Sequence, residues 1–523
     1  MKRVFFIIVM IAFPVVFLIV GAIIVLPKIE ARMRPLLLQH MAANLTDRER
    51  SAIYQQMAQG AAFWDTVPDA DVAGLALRNR TVQHTGVEAR VNNAGMRAAR
   101  KYAAKPEDSF RIVCLGDSFV FGQGGPEEDR FCDQLEAFYR EHHIGVGGRK
   151  IETVAIGLPG WTLVQETTYL ASRLTDYDPD LIVLLSVAND ITDNFGVTGS
   201  GAITRSFSPE YRALGSAVFS NELNALFGDP GERSALAWDF SPESRKRWDK
   251  AMQRLKRLVE IQQGRGKHIL VSAMAWGPTD APDPYPLLFQ SHFARLKIPA
   301  PFVLTSFLPG QQTTLTHDSH PNRLGHSLLR DQYIHALNAL GWVTVPDSAL
   351  PALHRRTPLR LNPDPDPDRM EAFTRRYLAK LGERIDFSAV QPGQTLAFLG
   401  GLFPDSGDPV RALKSEPWAS LRAAFLLRRP QGRQLKGVEV EIDIPPRPEL
   451  FPFSLRLLLD GAPAAAEVFQ QPNQSGRYQI SGLPVAPAFH DRVVEVTLET
   501  GSYFSTIDDA RMKSYKLVRA RAF

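Results

Sequence analysis

Cysteine is nearly missing from this chain: 523 residues contain two, Cys114 and Cys132. Two thiols cannot build the disulfide framework of a small secreted scaffold, and neither sits in a metal-ligand spacing. A single disulfide and two buried small apolar residues are both open readings of the pair. A charge excess is missing too. Lys and Arg total 60 against 56 Asp and Glu, a net charge of +4. No basic run carries interleaved aromatics, so nucleic acid is not an expected partner. No tandem repeat is present. Apolar residues make up 44% and charged residues 22%, which argues against wholesale disorder. At roughly 100–200 residues per domain, the length allows two or three domains.

Charge is absent altogether from residues 4–26, Val4 to Leu26. That run is long enough to cross a hydrocarbon core of about 30 Å as a helix. No small-x-small cleavage site follows it, so it reads as a transmembrane signal anchor. The expectation is a single-pass protein of the inner membrane with its bulk in the periplasm or outside the cell. Residues 31–105 read as a helical stalk and packing segment, with Thr46 and Glu49 at capping-box spacing.

Between residues 106 and 345 apolar runs alternate with helical periodicity. Strands are expected at Ile112–Leu115, Ile151–Ile156, Leu181–Val187, Ile269–Ala273 and Phe302–Leu304. Helices are expected near Glu127–His143, Leu163–Leu174, Pro242–Gln263 and Arg323–Leu340. Strands this continuously apolar are covered on both faces, as in a parallel sheet. The expected fold is therefore α/β, a three-layer α/β/α sandwich. Residues Phe195–Asp239 interrupt the alternation with a Gly- and Ser-rich insertion, a candidate wall or lid. Residues 346–386 read as a linker, with Pro-Asp-Pro-Asp-Pro-Asp at Pro363–Asp368, and a short helix. Residues 387–523 change texture. Val438, Val440 and Ile442 alternate with Glu439, Glu441 and Asp443, and no helix interrupts such runs. This predicts a C-terminal all-β sandwich domain.

Polar residues gather where the predicted strands end. The first strand ends in Gly116-Asp117-Ser118, the second in Gly157, and the third in Asn189-Asp190. After the last strand comes Asp318-Ser319-His320-Pro321-Asn322. In a parallel sheet these ends share one edge, where open α/β sheets bind ligands. A serine hydroxyl needs a base, usually histidine. The imidazole needs a group to hold its tautomer, and the tetrahedral intermediate needs fixed donors for its oxyanion.

The combination Gly116-Asp117-Ser118, Gly157, Asn189-Asp190 and His320-Pro321-Asn322 resembles the four signature blocks of the SGNH, or GDSL-type, hydrolases. The resemblance covers roughly residues 90–345. It implies Ser118 as nucleophile, His320 as base, and an oxyanion hole of Ser118, Gly157 and Asn189. It implies a carboxylic ester hydrolase that needs no cofactor or metal. Two positions depart from the pattern. Val187 stands where the third block usually has glycine. His317 stands where the last block usually has its aspartate, three residues before the histidine. The nearest acid is Asp318, two residues before His320, the spacing that resembles polysaccharide O-acetyltransferase domains. Asp318 is the candidate orienting acid, and a Ser–His dyad is the alternative.

The substrate expected by analogy is an O-acetylated or otherwise short-acylated carbohydrate of the cell envelope or exterior. The alternatives are a polysaccharide O-acyltransferase using the same residues and a non-catalytic polysaccharide-binding scaffold. His317 and His326 read as structural. Asp117 and Asp190 read as residues that set loop geometry. Trp161, Trp276, Trp418, Tyr478 and Tyr503 are candidates for stacking on sugar, although tryptophan is more often core.

Overall fold

A computed structural model describes residues 64–65, 75–76, 78–84, 87–159, 161–191, 239–275, 284–306, 308, 312–315, 320–390, 394, 397–403, 416–502, 504–506 and 509–523. The anchor run 4–26, the capping pair Thr46 and Glu49, and nearly all of the 195–239 insertion lie outside the described residues.

After a short antiparallel pairing of Trp64–Asp65 with Leu75–Ala76, a β-hairpin follows, β1 (Arg80–His84) and β2 (Val87–Val91). The α/β sheet then begins with β3 (Ser109–Gly116), buried along its whole length. An edge strand β4 (Gly145–Val146), β5 (Arg149–Gly157), β6 (Leu181–Ser186), β7 (His268–Ala275), β8 (Phe302–Ser306) and β9 (Arg360–Leu361) complete it. The spatial order is β9-β8-β7-β6-β3-β5-β4. The pairs β3–β5, β3–β6, β6–β7 and β7–β8 are parallel, and the two short edge strands pair antiparallel. Strand order reverses at β3, so its C-terminal end is the topological switch point where such sheets bind ligands.

The unbroken apolar character of β3 has a direct cause. Ile112 and Cys114 enter one core, while Val113 and Leu115 enter the other. On the first face lie α2 (Phe131–Glu141) and α6 (Arg323–Ala339). On the second lie α3 (Leu163–Ala171), α4 (Pro242–Gly264) and α5 (Pro284–Arg295). Each strand residue pair thus buries apolar surface in both directions, at about 25 cal/mol per Å². Cys114 and Cys132 form a disulfide with a Cα–Cα distance of 6.2 Å, joining β3 to α2. Helix α5 is missing from the sequence reading because Pro284 and Pro286 look like loop punctuation. They occupy its first turn, where proline costs no intrahelical hydrogen bond.

Helix α7 (Pro367–Lys380) begins inside the Pro-Asp run, with Asp366 accepting from the Arg369 N–H at 2.9 Å. It leads into a second sheet of β10 (Arg384–Asp386), β11 (Phe398–Phe403), β12 (Trp418–Arg428), β13 (Val438–Asp443), β14 (Phe453–Leu459), β15 (Ala462–Phe469), β16 (Arg477–Gly482), β17 (Val493–Thr500) and β18 (Tyr515–Ala522). The main path runs β15-β14-β17-β12-β18-β13-β16, antiparallel throughout. In place of the expected two-sheet sandwich, one continuously paired sheet curls until its two ends face each other. A Cβ on Gly482 of β16 would lie 2.8 Å from both Ala464 of β15 and Leu457 of β14.

The two sheets are not beads on a string. One apolar core runs from the α3–α5 face through Phe373, Tyr377 and Leu378 of α7 to the interior of the curled sheet. Phe240 is stacked on Tyr377 at 5.5 Å and meets His490, in the loop before β17, edge-on at 4.5 Å.

Candidate active site

Gly116 and Gly157 are register partners in the parallel pair β3–β5. Their closeness needs both glycines. A Cβ on Gly157 would lie 2.6 Å from the Gly116 carbonyl oxygen and 2.7 Å from that of Asp117. A Cβ on Gly116 would lie 2.6 Å from a Val120 methyl. The chain then turns at once into a one-turn helix, α1 (Ser118–Phe121), with Ser118 as its first residue.

Asp117 is the cap of that helix. Its Oδ1 accepts from the Phe119 N–H at 2.9 Å, and its Oδ2 accepts from the Ser118 hydroxyl at 3.2 Å. Gly122 ends the helix in the left-handed region, at φ 70°. The far end is held by Arg97, a residue upstream of the whole α/β sheet. Its Nη1 donates to the Phe121 and Gly122 carbonyls at 3.2 and 2.5 Å, and its Nη2 donates to Gly125 at 2.6 Å. Arg97 is itself buried, and burial beside Arg130 lowers its pKa to about 10.

His320 arrives from the other end of the domain. Its Nε2 lies 2.7 Å from the Ser118 Oγ, across 202 positions of sequence. Its ring packs on Phe119, with centroids 5.0 Å apart. Asn322 positions this loop twice over. Its side-chain oxygen caps α6 by accepting from the Leu324 and Gly325 N–H groups at 2.9 and 3.1 Å. Its amide nitrogen donates to the Gln312 and Thr314 carbonyls at 2.8 and 3.1 Å.

The third predicted element is a turn after β6. Asp190 lies in it, and its Oδ2 accepts from the Val187 N–H at 2.8 Å and the Ser186 hydroxyl at 2.7 Å. Asn189 is placed in this turn by its backbone, Ala188–Ile191. Its side chain lies outside the described residues, as do Asp318 and His317. Ser118, Gly157, Asn189 and His320 thus share one edge of the sheet. Val187 is buried where the third block usually has glycine, and packs into the core on the α2–α6 face.

Other candidates sort by burial. Trp161 is buried against Tyr169, with ring centroids at 5.2 Å, so it is core. Tyr478 is buried beside Phe469 inside the curled sheet. Trp418 remains partly exposed under the Lys516 ammonium. Trp276 and Tyr503 lie outside the described residues. His326 is fully buried, stacked on Phe131, and its pKa is lowered to about 3 by burial and the neighbouring Arg130 charge. Sequence reasoning passed over Arg97 and Glu166. Nothing local marks Arg97. Glu166 carried one unused signal, an acid within the sequence of a helix expected to pack on the sheet.

No protein-family model matches the chain, and no curated protein matches it. Among solved structures the chain is similar to a two-domain esterase active on acetylated mannans, co-crystallised with mannopentaose. The identity is 14% over 79% of this chain and 90% of that one, with a TM-score of 0.29. It is also similar to a psychrotrophic esterase from Pseudoalteromonas sp., at 17% identity over 44% of this chain and 98% of that one, TM-score 0.27. A GDSL-like lipase from Bacteroides thetaiotaomicron is similar at 13% identity over 46% and 92%, TM-score 0.26. At TM-scores this low, function is read from the site itself.

Proposed function

We propose that this chain is a serine esterase of the SGNH type that removes O-acetyl or other short acyl groups from a carbohydrate. The observation that carries the reading is the 2.7 Å contact between Ser118 Oγ and His320 Nε2. With Nε2 unprotonated, the Ser118 hydroxyl turns its single proton from Asp117 Oδ2 to Nε2, so the base lies along the path that proton takes. As Oγ attacks the ester carbonyl carbon, His320 accepts that proton. The tetrahedral oxyanion is met by donors from Ser118, Gly157 and Asn189, each worth roughly 3–4 kcal/mol in the transition state. Collapse expels the sugar alkoxide, which takes the proton back from His320. The acyl-Ser118 ester is then hydrolysed by water, with His320 again as base. Asp318 is the proposed acid that orients His320.

Carbohydrate as the substrate class is proposed from the make-up of the chain, a hydrolase-like sheet sharing a core with an antiparallel β domain. Attachment to the inner membrane with the bulk outside the cytoplasm is part of the same proposal. The uncharged run 4–26 and the Cys114–Cys132 pairing support it.

The test is hydrolysis of p-nitrophenyl acetate, and acetate release from acetylated polysaccharide, by the chain and three variants. Ser118→Ala and His320→Ala are each expected to cost about 10³-fold or more in kcat. Asp318→Ala is expected to cost less. Full turnover by Ser118→Ala would end the proposal.

A further inference from the structure

We propose that Glu166 is held as a neutral carboxylic acid whose proton is donated to Asp190, and that this buried acid–carboxylate pair is a positioning device for the turn that carries Asn189. The positioning role rests on the esterase reading; the protonation state does not.

The geometry comes from three elements. Glu166 lies in the first turn of α3, Asp190 in the turn after β6, and Asp117 at the cap of α1. Their relative exposures are 0%, 1% and 0%. Helix α3 packs against the turn after β6, and the Glu166 and Asp190 carboxyls act on each other as side-chain hydrogen-bond partners. Both Glu166 oxygens and Asp190 Oδ1 meet no hydrogen-bond donor among the described residues, while Asp190 Oδ2 has two, the Ser186 hydroxyl and the Val187 N–H. Two ionised carboxylates are acceptors only. Buried face to face they repel, and neither can satisfy the other. One proton between them resolves both problems. It makes Glu166 the donor that Asp190 Oδ1 needs.

The hydrogen bonds decide which member keeps the proton. The two donors on Asp190 Oδ2 favour its charged form, and nothing comparable favours a charged Glu166. Burial and the Asp117 charge raise the pKa of both carboxyls well above the ordinary carboxylate range; the Ser186 and Val187 donors offset this at Asp190 alone, and the Asp190 charge raises Glu166 further. From the other packed elements, Tyr285 of α5 supplies a neutral phenol bonded to Ser186 at 2.6 Å. Arg254 of α4 donates to the Thr168 hydroxyl of α3 at 3.4 Å. The three carboxyls are not a metal site: among the described residues no group of three or more His, Cys, Asp or Glu side chains could hold an ion.

The consequence is a chain of bonds from α3 to the oxyanion turn. Glu166 holds Asp190, and Asp190 holds the Ser186 hydroxyl and the Val187 N–H. Asn189 is carried between these fixed points. Loss of the pair would loosen a contact made in the transition state, so it would lower kcat more than it raises KM.

A pH titration of stability tests the protonation state without any substrate. In the folded chain Glu166 keeps its proton above the range where the unfolded chain releases it. Its contribution to stability is therefore full below the ordinary glutamate pKa and lost as pH rises through the raised value. Denaturant unfolding of the full chain in mild detergent would be followed from pH 5.5 to 8.5, for the wild type and Glu166→Gln. The ratio of wild-type to variant folding constants is expected to fall by about tenfold per pH unit until the raised pKa is reached. A flat ratio would show an ionised Glu166 and overturn the proposal, as would failure of Glu166→Gln to fold, because its amide can donate the same bond. Infrared spectra of the wild type give a second readout. A protonated carboxyl band at neutral pH is expected, and its absence would overturn the proposal. For positioning, Glu166→Ala should lower kcat by about 10²-fold with little change in KM, and Glu166→Gln should restore it. Equal kcat in all three proteins would refute the positioning role while leaving the esterase reading intact. Inactivity of the wild type itself would refute the esterase reading, and the stability data would still decide the protonation.

Discussion

Arg97 donates through Nη1 to the carbonyl oxygen of Phe121 at 3.2 Å, closing the last turn of the helix that Ser118 begins. A helix of one turn has too few internal bonds to hold itself. It is held from outside at both ends, by the Asp117 carboxylate at the start and the Arg97 guanidinium at the finish. The position of Ser118 relative to His320 depends on that clamp.

Replacing Arg97 with methionine keeps its apolar stem and removes three donated bonds. The Phe121, Gly122 and Gly125 carbonyls then lose their buried donor. The expected outcome is a loss of about 10²-fold in kcat toward p-nitrophenyl acetate, together with destabilisation of roughly 2–3 kcal/mol. Arg97→Lys should recover part of the stability, because one ammonium cannot span the same three oxygens. Unfolding curves and steady-state kinetics on the same samples check both.

Gly157→Ala places a methyl group 2.6 Å from the Gly116 oxygen and 2.7 Å from the Asp117 oxygen. Both contacts are backbone, so β3 and β5 must part at the point where the site is built. Destabilisation of about 1–3 kcal/mol is expected, with activity falling further than stability. A variant that stays fully active, measured at a temperature where it is folded, would show that the strands can yield there without cost.

His326 bears on acid stability. Its pKa falls to about 3 in the folded chain because burial and nearby positive charge oppose protonation. An unfolded histidine titrates near 6.5, so the folded state binds fewer protons between those values. The stability this group contributes is present above about pH 6.5 and is lost as pH falls toward 3. His326→Phe, stacking on Phe131 in the same place, is expected to flatten the acid side of the stability profile. Equilibrium unfolding at pH 4.5 and pH 7.5 measures this, and an unchanged slope would contradict it.

The membership of the site was legible in the sequence to the extent that local pattern carries it. Apolar runs of three to seven residues lead into turns carrying Gly, Asp, Ser and Asn, and a parallel sheet places those ends on one edge. Ser118, Gly157, Asn189 and His320 could be named because their blocks, in order and spacing, resemble the SGNH signature. Arg97 could not, because its partners are carbonyl oxygens, and a carbonyl leaves no mark in a sequence. The pairing of Glu166 with Asp190 was equally hidden. Each looked like an ordinary acid, one on a helix and one in a turn.

By itself, then, the sequence determined the strand and helix periods, the change from an α/β to a β pattern, and the residue types that could do acyl chemistry. Those properties depend on neighbours within a few positions. Tertiary structure alone decided which atoms meet. It brought His320 to within 2.7 Å of Ser118, joined Cys114 to Cys132, and ran one apolar core through both sheets. Such contacts are set by the close packing of whole layers, and packing depends on every side chain in the interface rather than on any local run.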